Sequence, residues 1–162
     1  MDRRELLGAA GVAAAGMLAA GQTARADERN RYQYQSQLDR THVDCLDACT
    51  ASAAACNEAA HHCLSQLEKG SSGKEHHSHA HHLTADCAAI CAVSAALVAR
   101  QSPLMDAQCN ACVEACRKCA EECEKDGSNA AIMKDCARIC RECERACREM
   151  VRAMGGRTTG AR

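Results

Sequence analysis

Uncharged residues recur along most of this chain at steps of three and four, and charged residues fill the positions between them. Before residue 125 the uncharged row reads Met105, Cys109, Cys112, Cys116, Cys119 and Cys123, and after it Met133, Cys136, Cys140, Cys143, Cys147, Met150 and Met154. Such spacing puts one residue per turn on a single stripe of an α-helix. An earlier stretch supplies His42, Cys45, Cys49, Cys56 and Cys63, with Ser52 and Ala59 filling the remaining steps. A leaner one supplies Cys87, Cys91, Ser94 and Val98. Glu114, Arg117, Lys118, Glu121, Glu122, Arg138, Arg141, Glu142 and Arg148 flank these rows and read as the outer face.

The pattern predicts four helices, over about residues 41–68, 82–100, 102–125 and 129–154. Thr41 is placed to cap the first, with Asp44 three positions on as a weaker form of the capping box. KGSSGKEHHSHAHH, residues 69–82, reads as a loop from its Gly, Ser and His content. Pro103 suits the first turn of the third helix, and Asp126-Gly127-Ser128 marks a sharp break before the fourth. Short connections force antiparallel neighbours, so the expected fold is all-α: an antiparallel four-helix bundle over residues 41–154 with a cysteine-lined core. A polar lead-in at 27–40 and a disordered tail at 155–162 flank it.

Composition sharpens the problem of the core. The chain of 162 residues is 47% hydrophobic by letter, but it has no Phe, no Trp and 15 Cys. Burial contributes roughly 25 cal/mol per Å² of apolar surface, and Ala and Cys bring little surface each. Something besides ordinary packing must therefore join the helices. The net charge is −1 with both signs interleaved, which excludes the extended basic surface that nucleic acid requires.

The first residues, MDRRELLGAAGVAAAGMLAAGQTARA, combine Arg3 and Arg4, a mildly apolar run and a small-residue cleavage pattern ending at Ala26. These are the parts of a signal peptide of the twin-arginine type over residues 1–26, so export to the periplasm is expected. The apolar run falls short of the roughly 20 residues a membrane span needs.

Three readings compete for the cysteines. One buried cysteine is a small hydrophobe, an explanation that does not stretch to fifteen. A disulfide-linked structural helical protein of the periplasm is the second, encouraged by export but weakened by the odd count and by i,i+4 pairs whose Cβ atoms lie about 5–6 Å apart. Metal is the third. Six CxxxC pairs occur (Cys45/Cys49, Cys87/Cys91, Cys112/Cys116, Cys119/Cys123, Cys136/Cys140 and Cys143/Cys147), each placing two sulfurs on one helix face. Zinc favours closed tetrahedra on paired knuckles, and iron–sulfur clusters favour loop-borne cysteines. Cu(I) is soft, accepts two or three thiolates and lets a row of sulfurs hold a row of ions. A thiol redox enzyme would instead place a reactive, exposed CxxC at a helix start.

With Arg3 and Arg4, four helical segments, and the dense seams CNACVEACRKCAEEC and CARICRECERAC, the chain resembles the exported branch of the bacterial copper storage proteins. The resemblance implies a non-catalytic four-helix bundle that stores multiple Cu(I) ions on core thiolates. It also implies a homotetramer, with a copper-delivering or copper-receiving protein as a further partner. Antiparallel threading brings His42, Met105, Met150 and Met154 to one end, and Cys63, Cys123, Met133, His61 and His62 to the other. These His and Met residues are candidate entry or accessory ligands. His76, His77, His79, His81 and His82 are expected in a solvated loop at the second end, suited at most to weak capture of metal.

Overall fold

The computed structural model describes residues 38–125 and 130–158, with side chains to residue 155. Among them the regular elements are four helices: α1 (Arg40–Glu68), α2 (Lys74–Ala99), α3 (Met105–Glu124) and α4 (Ala131–Thr158). Each packs against two others, α1 on α2 and α4, and α3 on α2 and α4, which closes a four-helix bundle. The expected break at 126–128, the signal segment and residues 27–37 of the lead-in lie outside the described residues. Of the expected tail, residues 155–158 continue α4 and the rest is likewise outside.

Local chemistry sets the boundaries. Asp39 rather than Thr41 caps α1, its carboxylate accepting from the His42 amide at 3.0 Å. Gly70 and Gly73 take positive φ of 67° and 82°, where a side chain would be strained, and complete the reversal into α2. The largest departure from expectation follows: residues 74–82 are the first two turns of α2, not a loop. His77, Ala80 and Thr84 are buried there and continue the row of Cys87, Cys91, Ser94 and Val98 toward the helix start. Pro103 precedes α3 rather than lying within it, and the Ser102 carbonyl accepts from the Met105 amide at 3.1 Å.

The interior is made chiefly of sulfur and small apolar groups, with the hydroxyls of Ser52, Thr84 and Ser94 among them. Fourteen of the cysteines are at most 1% exposed and Cys123 is 2% exposed, with Met133, Met150 and Val98 the largest fully buried side chains. Polar ties pin the helices together around this interior. The Gln108 amide donates to the Ile90 carbonyl and Ser94 hydroxyl at 3.3 Å each, joining α3 to α2. His81 lies 3.0 Å from the Ala60 carbonyl, joining α2 to α1, and Arg141 pairs with Glu124 at 2.9 Å, joining α4 to α3. One further expectation is reversed: Glu122, read as an outer-face residue, is 6% exposed because the first turns of α2 cover it.

Candidate metal centre

Because each helix contributes one buried residue per turn, the sulfurs stack in levels along the bundle axis. At the level of Cys45, its sulfur lies 4.0 Å from that of Cys109 and 3.7 Å from that of Cys147. One turn deeper, Cys49 is 3.5 Å from Cys147 and 3.7 Å from Cys143, and Cys143 is 3.8 Å from Cys112. On the α2 side Cys91 reaches Cys112 at 3.6 Å and Cys116 at 3.5 Å, while Cys87 reaches Cys116 at 3.7 Å. Beyond these, Cys56 is 3.8 Å from Cys119 and Cys136 and 3.4 Å from Cys140. Cys63 completes the row with its sulfur 3.9 Å from the thioether of Met133.

These separations exclude one reading and fit another. A disulfide needs about 2.05 Å between sulfurs, and all fifteen cysteines are reduced thiols. Two metal–sulfur bonds of about 2.3 Å meeting at a trigonal or tetrahedral ion put the sulfurs about 3.8–4.0 Å apart, which small rotamer changes reach from the observed spacing. Thirteen of the sulfurs, all but those of Cys63 and Cys123, fall into five groups, within each of which every pair lies within 4.8 Å. Three have four members: Cys49/Cys112/Cys143/Cys147, Cys56/Cys119/Cys136/Cys140 and Cys91/Cys112/Cys116/Cys143. Two have three: Cys45/Cys109/Cys147 and Cys87/Cys116/Cys140. Cys112, Cys116, Cys140, Cys143 and Cys147 each belong to two groups, so a thiolate there can bridge neighbouring ions.

Crowding also redistributes protons. Hydrogen bonds from Cys116, Cys143, Cys147 and Cys49 push the Cys112 thiol down, and those from Cys116, Cys119, Cys136 and Cys56 do the same for Cys140. Cys119 and Cys136 bring Cys56 to about 6, and the same two bring Cys123 to about 5. The donors move the other way: Cys143 is raised by its bonds to Cys112, Cys116, Cys147 and Cys49. Each hydrogen bond between two of these sulfurs favours the thiolate on the acceptor and the thiol on the donor, and a soft cation that binds there displaces thiol protons.

The two ends differ from this interior. Beyond Cys45, Cys109 and Cys147 come His42, Met105 and Met150, all buried, and Met154, half-buried. The Asp39 carboxylate accepts from the His42 ring Nδ1 at 2.7 Å. At the other end Met133 is fully buried, His62 half-buried and His61 exposed. Of the five histidines expected in a loop, all now on α2, only His77 is buried; His76 and His81 are half-buried, and His79 and His82 are exposed. The His62 and His77 rings approach to 6.1 Å between centroids, and those of His76 and His77 to 5.5 Å. Glu122, absent from the sequence-derived candidates, accepts from His76 at 3.0 Å and from Lys125 at 3.0 Å. Burial raises the Glu122 carboxyl, but Lys125, His79 and His76 outweigh it and hold the group below the usual carboxylate range.

Residues 38–152 match the family model described as Csp, copper storage protein. The chain belongs to the copper storage protein family. Among solved structures it is similar to the Cu(I)-bound copper storage protein BsCsp3, with 30% identity over 73% of this chain and 98% of that one, at a TM-score of 0.58. No curated protein matches it. Family membership and the clustered, unbridged thiols together identify copper storage as the function, with multiple Cu(I) ions as the cargo. Copper storage proteins are not a catalytic family.

Proposed function

We propose that all fifteen core thiolates of this chain form one graded Cu(I) store without catalytic activity. The overlap of the sulfur groups carries the reading, since Cys112 and Cys143 each belong to two of them and can bridge ions between them. Replacing Cys112 and Cys143 together by Ser tests it. Removing two bridging ligands is expected to lower saturation by more than two ions, whereas replacing Cys63, outside every group, lowers it by one at most. Equal losses from both would contradict the assignment of bridging roles.

Entry is proposed at both ends, through residues of softer or imidazole character that pass copper to the thiolates. At one end these are Met105, Met150 and Met154, with His42 beside them. At the other, Cys123 and Met133 line a surface cleft of about 370 Å³, and Met133 touches Cys63. His62 lies there too, its Nε2 buried with no hydrogen-bond partner among the described residues. Loading followed by stopped flow is expected to slow in a variant lacking Met105, Met150 and Met154; an unchanged rate would contradict entry at that end.

The signal-like residues 1–26 support the further proposal that the store works in the periplasm after export by the twin-arginine route. Cell fractionation of the wild type and an Arg3→Lys, Arg4→Lys variant tests this, with retention of the variant in the cytoplasm expected. A homotetramer is proposed from the family resemblance, to be tested by light scattering of the mature protein.

A further inference from the structure

We propose that Ser52 is a break in the sulfur row that divides the store into two compartments filling with different affinity. This deepens the thiolate-store reading and rests on it.

Along α1 the seam runs Cys45, Cys49, Ser52, Cys56, and Ser52 is fully buried, 0% exposed, where the flanking steps are thiols. Its hydroxyl oxygen sits among sulfurs from every helix: 3.5 Å from Cys91 of α2, 3.8 Å from Cys116 of α3, 3.5 Å from Cys140 of α4 and 3.9 Å from Cys56 of α1 itself. A sulfur at that position would touch four others at the separations that sulfurs sharing an ion adopt. The residue there is a hydroxyl, hard and protonated, which neither competes for Cu(I) nor bridges two ions. It donates a single hydrogen bond, and in the loaded core that bond goes to an adjacent thiolate, steadying charge on a sulfur that lacks one metal neighbour.

The groups on either side bear this out in their membership. Cys49 belongs to the four-sulfur group with Cys112, Cys143 and Cys147, and Cys56 to that with Cys119, Cys136 and Cys140; the two have no member in common. Cys116 still connects the two sides away from α1, because it belongs both to the group with Cys91 and to that with Cys87 and Cys140. The compartments therefore touch on the α2 and α3 side and are parted on the α1 side.

The test is an anaerobic titration of the reduced protein with Cu(I) against a competing Cu(I) chelator, with a thiol count on each sample, for wild type, Ser52→Cys and Ser52→Ala. Wild type is expected to fill in two classes separated by about tenfold or more in affinity. Ser52→Cys is expected to merge them into one class and raise saturation by about one ion. Ser52→Ala retains two classes and the wild-type saturation, because a methyl group bridges no better than a hydroxyl. A wild type that fills to full capacity in one class overturns the partition, whether or not either variant folds. So does a Ser52→Cys protein, helical by circular dichroism, that titrates like wild type. Saturation of wild type at one or two ions is a different failure, that of the thiolate store itself.

Discussion

The middle of the bundle and its ends solve the packing problem with different materials. In the middle, from Cys45 to Cys56 on α1 and across to Cys116 and Cys140, the buried groups are, Ser52 apart, thiols of little volume held at van der Waals distance from one another. At the ends the fully buried side chains are large, Met133 and Met150, and they are accompanied by His42 against Asp39 and Glu122 against His76 and Lys125. The ends draw their cohesion from these large side chains and polar pairs. The middle gains its strongest cohesion only when an ion replaces the protons between sulfurs, so the cargo doubles as the core.

The sharpest way to break this comparison is to melt the reduced protein with and without Cu(I). A ligand present at a thousand times its Kd stabilises the folded state by about 4 kcal/mol per site, and each kcal/mol shifts the melting point of a domain this size by about 4 °C. Calorimetry is expected to show a rise of well over about 15 °C on loading; a shift of a few degrees would mean the middle is already as cohesive as the ends. Next in size is Met133→Ala. Truncating a fully buried Met is expected to cost about 2–5 kcal/mol by denaturant unfolding of the apo-protein, while leaving copper capacity within about one ion of wild type. A large loss of capacity would erase the distinction between end and middle.

The smallest effect concerns Glu122→Gln. The folded-state pKa of Glu122 lies below its unfolded value of about 4.3, so its contribution to stability is present above that pH and is lost as pH falls through the depressed value. The variant is expected to be about 1 kcal/mol less stable than wild type at pH 7 and indistinguishable from it near pH 3, by urea unfolding at each pH. A difference that persists in acid would show that Glu122 acts through packing rather than charge.

The middle is legible in the sequence and one end is not, for a physical reason. Steps of three and four announce a buried stripe whatever residue occupies it, so spacing alone places Cys109 to Cys123 and Cys136 to Cys147 inside the bundle. The same steps continue through His77, Ala80 and Thr84 into Cys87, and following them starts α2 near residue 74. Composition points the other way, because Gly, Ser and clustered His are loop residues on average. Losing those two turns to a loop also hides Glu122: on α3 alone it belongs with the charged flank, and only α2 passing over it takes it out of water. Distances between sulfurs, and with them the groups that share Cys112 and Cys143, depend on how four helices meet and cannot be read from any one of them.

The central claim is that the thiol seams are a copper store, and counting metal against sulfur tests it most directly. The protein, reduced and kept anaerobic, would be titrated with Cu(I) against a competing chelator while the thiols are counted on the same sample. The account predicts close to fifteen reactive thiols after unfolding and saturation at about a dozen ions. Saturation at one or two ions, with the thiols intact, would contradict it.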